Sequence, residues 1–168
     1  VRDHGAFHVS HERDPLALSI LEGDGNCLMR TLRDALVRLR DDAARGVHLV
    51  DDKRAPTLLS YKSLHDEACS LAAALRARDV GGGSHVVLQL HHLRDYLVGF
   101  WGCVMGGFVP VPLHPGTTSE GIRKLEGVLR ALPNPYVLAD EQACAAFGGN
   151  DTLTRVQTSG RVLPFGPL

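Results

Sequence analysis

The sequence predicts an α/β fold, a mostly parallel sheet flanked by helices. Two observations predict it. Segments with strand character alternate with segments of helical period from Val47 to Phe147, the order expected of βαβ units. Within that alternation HVVLQL (85–90) is an unbroken apolar run, typical of a parallel strand covered on both faces. The 168 residues are enough for one domain or one subdomain of something larger, and for a real core.

The first 30 residues have no clean period and read as a linker, with PLALSIL as a short apolar patch inside it. From Thr31 the pattern sharpens. TLRDALVRLRDDAARG sets Leu32, Leu36 and Leu39 at helical spacing, with Thr31 as N-cap, Asp34 in capping-box position and Gly46 as the expected stop. VHLVD and TLLS, separated by the polar turn DDKRAP, predict a hairpin with a longer loop. SYKSLHDEACSLAAALRARDVGGG predicts a helix. Leu64, Ala68, Leu71, Ala72 and Leu75 share its face, Ser60 or Ser63 caps it, and Gly81, Gly82 and Gly83 stop it. After HVVLQL, LRDYLVGFWGCVMGG is helical again, with Phe100 and Trp101 expected in the core. FVPVPL is extended, and because Pro110 and Pro112 donate no ladder bonds it belongs at a sheet edge. TTSEGIRKLEGVLRAL is a helix capped by Thr117, Thr118 or Ser119. PYVLAD (135–140) is a short strand, and EQACAAF opens another helix. These elements make residues 31–147 the folded unit; residues 148–168 are weakly patterned, with room for one more strand.

Composition excludes several functions. Formal net charge is −1 with the charges interspersed, so no basic stripe exists to neutralise nucleic-acid phosphates. No apolar run reaches the roughly 18 residues of a membrane helix, and VRDHGAFHVSHERD carries no signal-peptide core. Cys27, Cys69, Cys103 and Cys144 form no CxxC pair, and Cys69 and Cys103 read as small buried thiols in helices. These features fit a reducing, cytoplasmic setting.

Residues from about Thr31 to Asp140 resemble the opening of the adenylate-forming superfamily: acyl-CoA synthetases, fatty-acyl-AMP ligases and the adenylation domains of nonribosomal peptide synthetases. The residues that carry the resemblance are LSYKSLHDEACSLAAALRARDV, with its Ser60–Tyr61 entry into a helix, then GGGSHVVLQL, then FWGCVMGGFVPVPLHP, where Gly106 and Gly107 end a helix and Pro110 and Pro112 set an extended path. KLEGVLRALPNPYVLAD fits the next helix and strand. The segment from LQLHHLRDY to VPVPL is most similar to fatty-acyl-AMP-ligase-like adenylating domains of polyketide and peptide megasynthases. In physical terms Ser60, Tyr61, Gly106, Gly107, Pro110 and Pro112 are architectural: none is a nucleophile, an acid or a phosphate cradle.

The resemblance implies ATP and magnesium as cofactors of the parent family, held by a Ser/Thr/Gly-rich loop followed by Lys. In this chain the nearest text is TSG before Arg161, which lacks the following Gly and Lys. No catalytic, cofactor or metal residue is therefore assigned to the chain. The first expectation is a non-catalytic pseudo-adenylation subdomain of a polyketide or nonribosomal peptide synthase. Its partners would be neighbouring domains, a carrier protein or a second copy, docked on a sticky sheet edge and an uncovered apolar face. The second is the N-terminal piece of a working acyl-AMP ligase that activates a carboxylic acid.

The third comes from a different class. GDGNCLMRTL (23–32) resembles the nucleophile motif of ovarian-tumour-type cysteine proteases, with Cys27 at a helix start and Asp24 shaping the oxyanion loop. Such an enzyme needs a histidine late in the chain, and none follows His114. His4, His8 and His11 would share a helical face as metal ligands, but they lack acidic or cysteine partners and read as solvated linker. His91 and His92 follow a strand end, where open α/β sheets place ligands; a loop or cap role is the default there.

Overall fold

The computed structural model describes residues 31–51, 54–115, 118–148 and 150–166. The histidines of the first segment, Asp24 and Cys27 lie outside the described residues. Helix α1 (Leu32–Arg38) starts at a full capping box: Thr31 Oγ1 accepts from the Asp34 amide, and the Asp34 carboxylate accepts from the Thr31 amide, each at 3.1 Å. Leu39 ends it, well before Gly46. Gly46 instead opens strand β1 (Gly46–Asp51), because a side chain there would collide with the Leu59 carbonyl across the ladder. Strand β2 (Arg54–Ser60) pairs antiparallel with β1, and Asp51 opposite Arg54 leaves a connection two residues long, shorter than the expected turn. Alternation sends Leu49 and Leu59 to the core and leaves Val50 and Leu58 exposed.

Helix α2 (Tyr61–Arg76) is capped by Ser60, whose Oγ accepts from the Ser63 amide at 3.1 Å. It buries Leu64, Ala68, Leu71, Ala72 and Leu75, the five positions its period predicts. It stops before the three glycines. Asp79 takes the left-handed conformation (φ 60°), and the Val80 amide reaches back to the Leu75 carbonyl at 3.2 Å, a Schellman closure.

The main sheet contains β3 (His85–Gln89), β4 (Val109–Pro112), β5 (Tyr136–Ala139) and β6 (Val162–Pro164) in the order β4-β3-β5-β6, every pair parallel. Val87 faces Val111 on one side and Val137 on the other. The proline-containing strand lies at the edge, as its missing N–H groups require. Helix α3 (Leu93–Gly106) connects β3 to β4, and α4 (Ser119–Ala131), capped by Thr118, connects β4 to β5. Helices α5 (Glu141–Ala146) and α6 (Asp151–Thr158) precede β6. Thus the weakly patterned stretch after Phe147 contains a helix and a strand that extend the sheet. The short runs LTRV and RVLP are too brief for their period to show.

Both faces of the sheet are covered, which explains the unbroken apolar run of β3. Val86, Leu88, Leu138 and Leu163 pack with α2 and α3 on one face. Val87, Val137 and Ala139 pack with Leu125, Leu129, Ala143, Phe147 and Leu153 of the α4–α6 side on the other. Each fully buried leucine contributes about 1.5–3 kcal/mol. Helix α2 is the outer layer over α3, and the two approach closely at Gly102, where a Cβ would lie 2.6 Å from Leu71 Cδ2. Phe100 and Trp101 are partly buried beside this core, edge to face with centroids 5.8 Å apart.

Candidate functional site at the carboxyl edge of the sheet

The chain fills the sheet outward from β3 in one direction and from β5 in the other. The crevice beyond the carboxyl ends of β3 and β5 is therefore the switch point, where open α/β sheets receive ligands. Two residues meet there. Asp140, directly after β5, caps α5: its Oδ1 accepts from the Ala143 amide at 2.8 Å. The same carboxylate accepts from the His91 amide at 2.7 Å and lies 3.0 Å from His91 Nδ1 through both oxygens. A carboxylate only accepts, so Nδ1 carries the hydrogen. Burial opposes the Asp140 charge, but the amides of His91 and Ala143 and the His91 ring outweigh it and hold the carboxyl below its ordinary value. His91 Nε2 is buried and has no hydrogen-bond partner among the described residues. The dyad is a tie between strand ends.

Outside the dyad lies an open crevice of about 860 Å³, lined by Glu67, Arg94, Asp95, Asp140 and Glu141 among others. Arg94 bonds Glu67 at 2.7 Å, so the guanidinium is already engaged. Four carboxylates against one guanidinium oppose a polyphosphate. Among the described residues no three His, Cys, Asp or Glu side chains converge to hold a metal ion.

The phosphate-loop echo is the end of a helix, where the sequence suggests a surface loop. Thr158 closes α6, Ser159 is its C-cap, and Gly160 is left-handed at φ 73°. The Gly160 and Arg161 amides bond back to the Gln157 and Val156 carbonyls, and Arg161 Nη1 bonds Asn134 Oδ1 at 2.9 Å. The amides are used, and the negative end of the helix dipole points at the site. A polyphosphate therefore fits neither the helix terminus nor the acidic crevice.

Ser60 caps α2, and the Tyr61 amide bonds the Arg45 carbonyl at 2.9 Å. A side chain on Gly106 would strike the Phe108 ring. Gly107 is left-handed at φ 72° and lets the Phe108 amide close on the Cys103 carbonyl at 2.9 Å. Pro110 and Pro112 sit opposite Val86 and Leu88. His92 is the N-cap residue of α3 without a side-chain bond, while its neighbour His91 belongs to the dyad. Of the two thiols read as buried, Cys103 is, and burial pushes it up to about 12. Cys69 is only partly buried and lies 3.7 Å from His65 Nε2. Asp140 escapes a sequence reading that treats it as a strand end. An acid directly before a helical segment is an N-cap signal that finds half of its role.

The AMP-binding enzyme family matches residues 40–131, more than half of the chain. A 4-hydroxybenzoate–CoA/benzoate–CoA ligase of Rhodopseudomonas palustris is 25% identical over 118 residues, which are 70% of this chain and 19% of that protein. The structure of McyG A-PCP complexed with phenylalanyl-adenylate has a TM-score of 0.69 at 23% identity, covering 84% of this chain and 25% of that one. A structure comprising adenylation, ketoreductase and pseudo Asub domains of a keto acid-selecting NRPS module has a TM-score of 0.63 at 21% identity, covering 99% of this chain and 15% of that one. The two structural likenesses show a shared fold. The chain spans less than a fifth of the length of the curated relatives it matches. Cys27 lies outside the matched segment, and the sheet that follows it is that of adenylating enzymes, so the protease reading is not supported. The parallel four-stranded sheet, its flanking helices and the match over residues 40–131 place this chain in the AMP-binding enzyme family, as a partial N-terminal segment of its adenylate-forming fold.

Proposed function

We propose that the chain serves as a non-catalytic pseudo-adenylation subdomain in a cytoplasmic polyketide or nonribosomal peptide synthase, where it scaffolds neighbouring domains or a carrier protein. The observation that carries this is the helix terminus at Thr158–Arg161, which occupies the text nearest to a phosphate loop. The acidic crevice supports it. Support also comes from the likeness, across nearly the whole chain, to a multidomain structure that includes a pseudo Asub. Among the described residues no helix is long and apolar enough to cross a membrane. The test is calorimetry of the chain with ATP and magnesium. No heat of binding is expected, and micromolar binding would overturn the reading.

The CoA ligase relative favours a second reading, the first part of an acyl-AMP ligase that activates a carboxylic acid. In that case the residues holding ATP and magnesium lie in other parts of the protein. Carboxylate-dependent exchange of pyrophosphate into ATP by the full-length parent separates the two. Exchange that is lost when this segment alone is deleted, with the rest still folded, favours the ligase.

A further inference from the structure

Helix α2 carries a Cys–His–Asp series that plays no part in the carboxyl-edge site. Cys69 Sγ lies 3.7 Å from His65 Nε2, one helical turn away, and His65 Nδ1 lies 3.3 Å from Asp66 Oδ1. The order of contacts fixes the tautomer. Nδ1–H donates to the carboxylate, so the Nε2 lone pair faces the thiol. Only 17% of the His65 side chain is exposed, so the ring has little freedom to turn away. Cys69 itself is partly exposed.

We propose that Cys69 is a modification site, a histidine-assisted thiol that exchanges with low-molecular-weight disulfides. The Cys69 proton passes to His65 Nε2. The Sγ thiolate attacks one sulfur of the disulfide, a new S–S bond forms and the old one breaks. The departing thiolate takes the proton from the imidazolium. The net reaction is protein thiol plus disulfide giving mixed disulfide plus free thiol, with no other oxidant.

The other described thiols differ. Cys103 is buried and pushed up to about 12, and Cys144 is pushed up by burial and by the Asp140 charge. Neither has a histidine contact among the described residues. On the same helix Lys62 bonds Asp66 at 2.8 Å.

The chain suits a direct test, because trypsin leaves each of its four cysteines on a separate peptide, Cys69 within residues 63–76. The folded chain is incubated with glutathione disulfide, quenched in acid, digested and quantified by mass spectrometry over a pH series. The peptide of Cys69 is expected to gain the mixed disulfide about tenfold or more faster than those of Cys103 and Cys144. His65→Gln is expected to slow it about tenfold at neutral pH and to change its pH profile. Asp66→Asn, at an exposed position, should produce a smaller change in the same direction. The proposal is overturned if Cys69 reacts no faster than Cys144, or if His65→Gln leaves both rate and pH profile unchanged. If His65→Gln does not fold, Asp66→Asn decides: a rate and profile identical to wild type refute the relay.

Discussion

Replacing Asp140 with alanine should unfasten the carboxyl edge, and the expected loss can be worked from its bonds. The carboxylate is 12% exposed and accepts from the Ala143 amide, the His91 amide and the His91 ring. Loss of the cap on α5 costs about 1 kcal/mol. Leaving the His91 donors without an acceptor in a nearly dry site costs about 1–3 kcal/mol more. The sum is about 2–4 kcal/mol, and at about 2–4 °C per kcal/mol for a chain of this size the midpoint should fall by about 5–15 °C. Thermal melts by circular dichroism at neutral pH measure it. Asp140→Asn keeps a cap acceptor and should lose roughly half as much. Acid adds an independent check. The folded carboxyl titrates below its unfolded value, so its contribution is complete above the ordinary carboxylate range and is lost as pH falls through the folded pKa. The wild-type advantage over Asp140→Asn should therefore shrink on acidification. An Asp140→Ala midpoint within about 1 °C of wild type would refute the tie.

Three further outcomes are expected. Gly102→Ala should destabilise by about 1–3 kcal/mol, because its Cβ would stand 2.6 Å from Leu71 Cδ2 where α2 and α3 meet; chemical denaturation reads it. Asp79→Gly should stabilise by about 0.5–1 kcal/mol, since it relieves a left-handed non-glycine residue at φ 60° at some entropic loss; the urea midpoint should rise. Arg161→Ala removes exposed bonds to Asn134 and Ser159. It should leave stability within about 0.5 kcal/mol; a larger fall in the urea midpoint would refute the reading of these bonds as exposed and weak.

Interactions with short sequence reach were legible. The Thr31 capping box, the Ser60 cap, the apolar face of α2 and the proline edge strand all rest on residues within a few positions of one another. Gly46 was not legible. It resembles a helix stop, yet it is a glycine because Leu59 crosses it from another strand. The same holds for Thr158–Arg161, where a phosphate-loop composition belongs to a helix terminus whose amides are already paired.

The sequence alone determined the alternation of strands and helices, the covered central strand and the family, because hydrophobic period and turn chemistry are local and repeat along the chain. Tertiary structure alone decided what stands at the carboxyl edge. Asp140 and His91 are 49 residues apart, and only the parallel pairing of β3 with β5 brings their ends together. Strand order is set by which apolar faces bury one another, and a linear pattern does not carry that information.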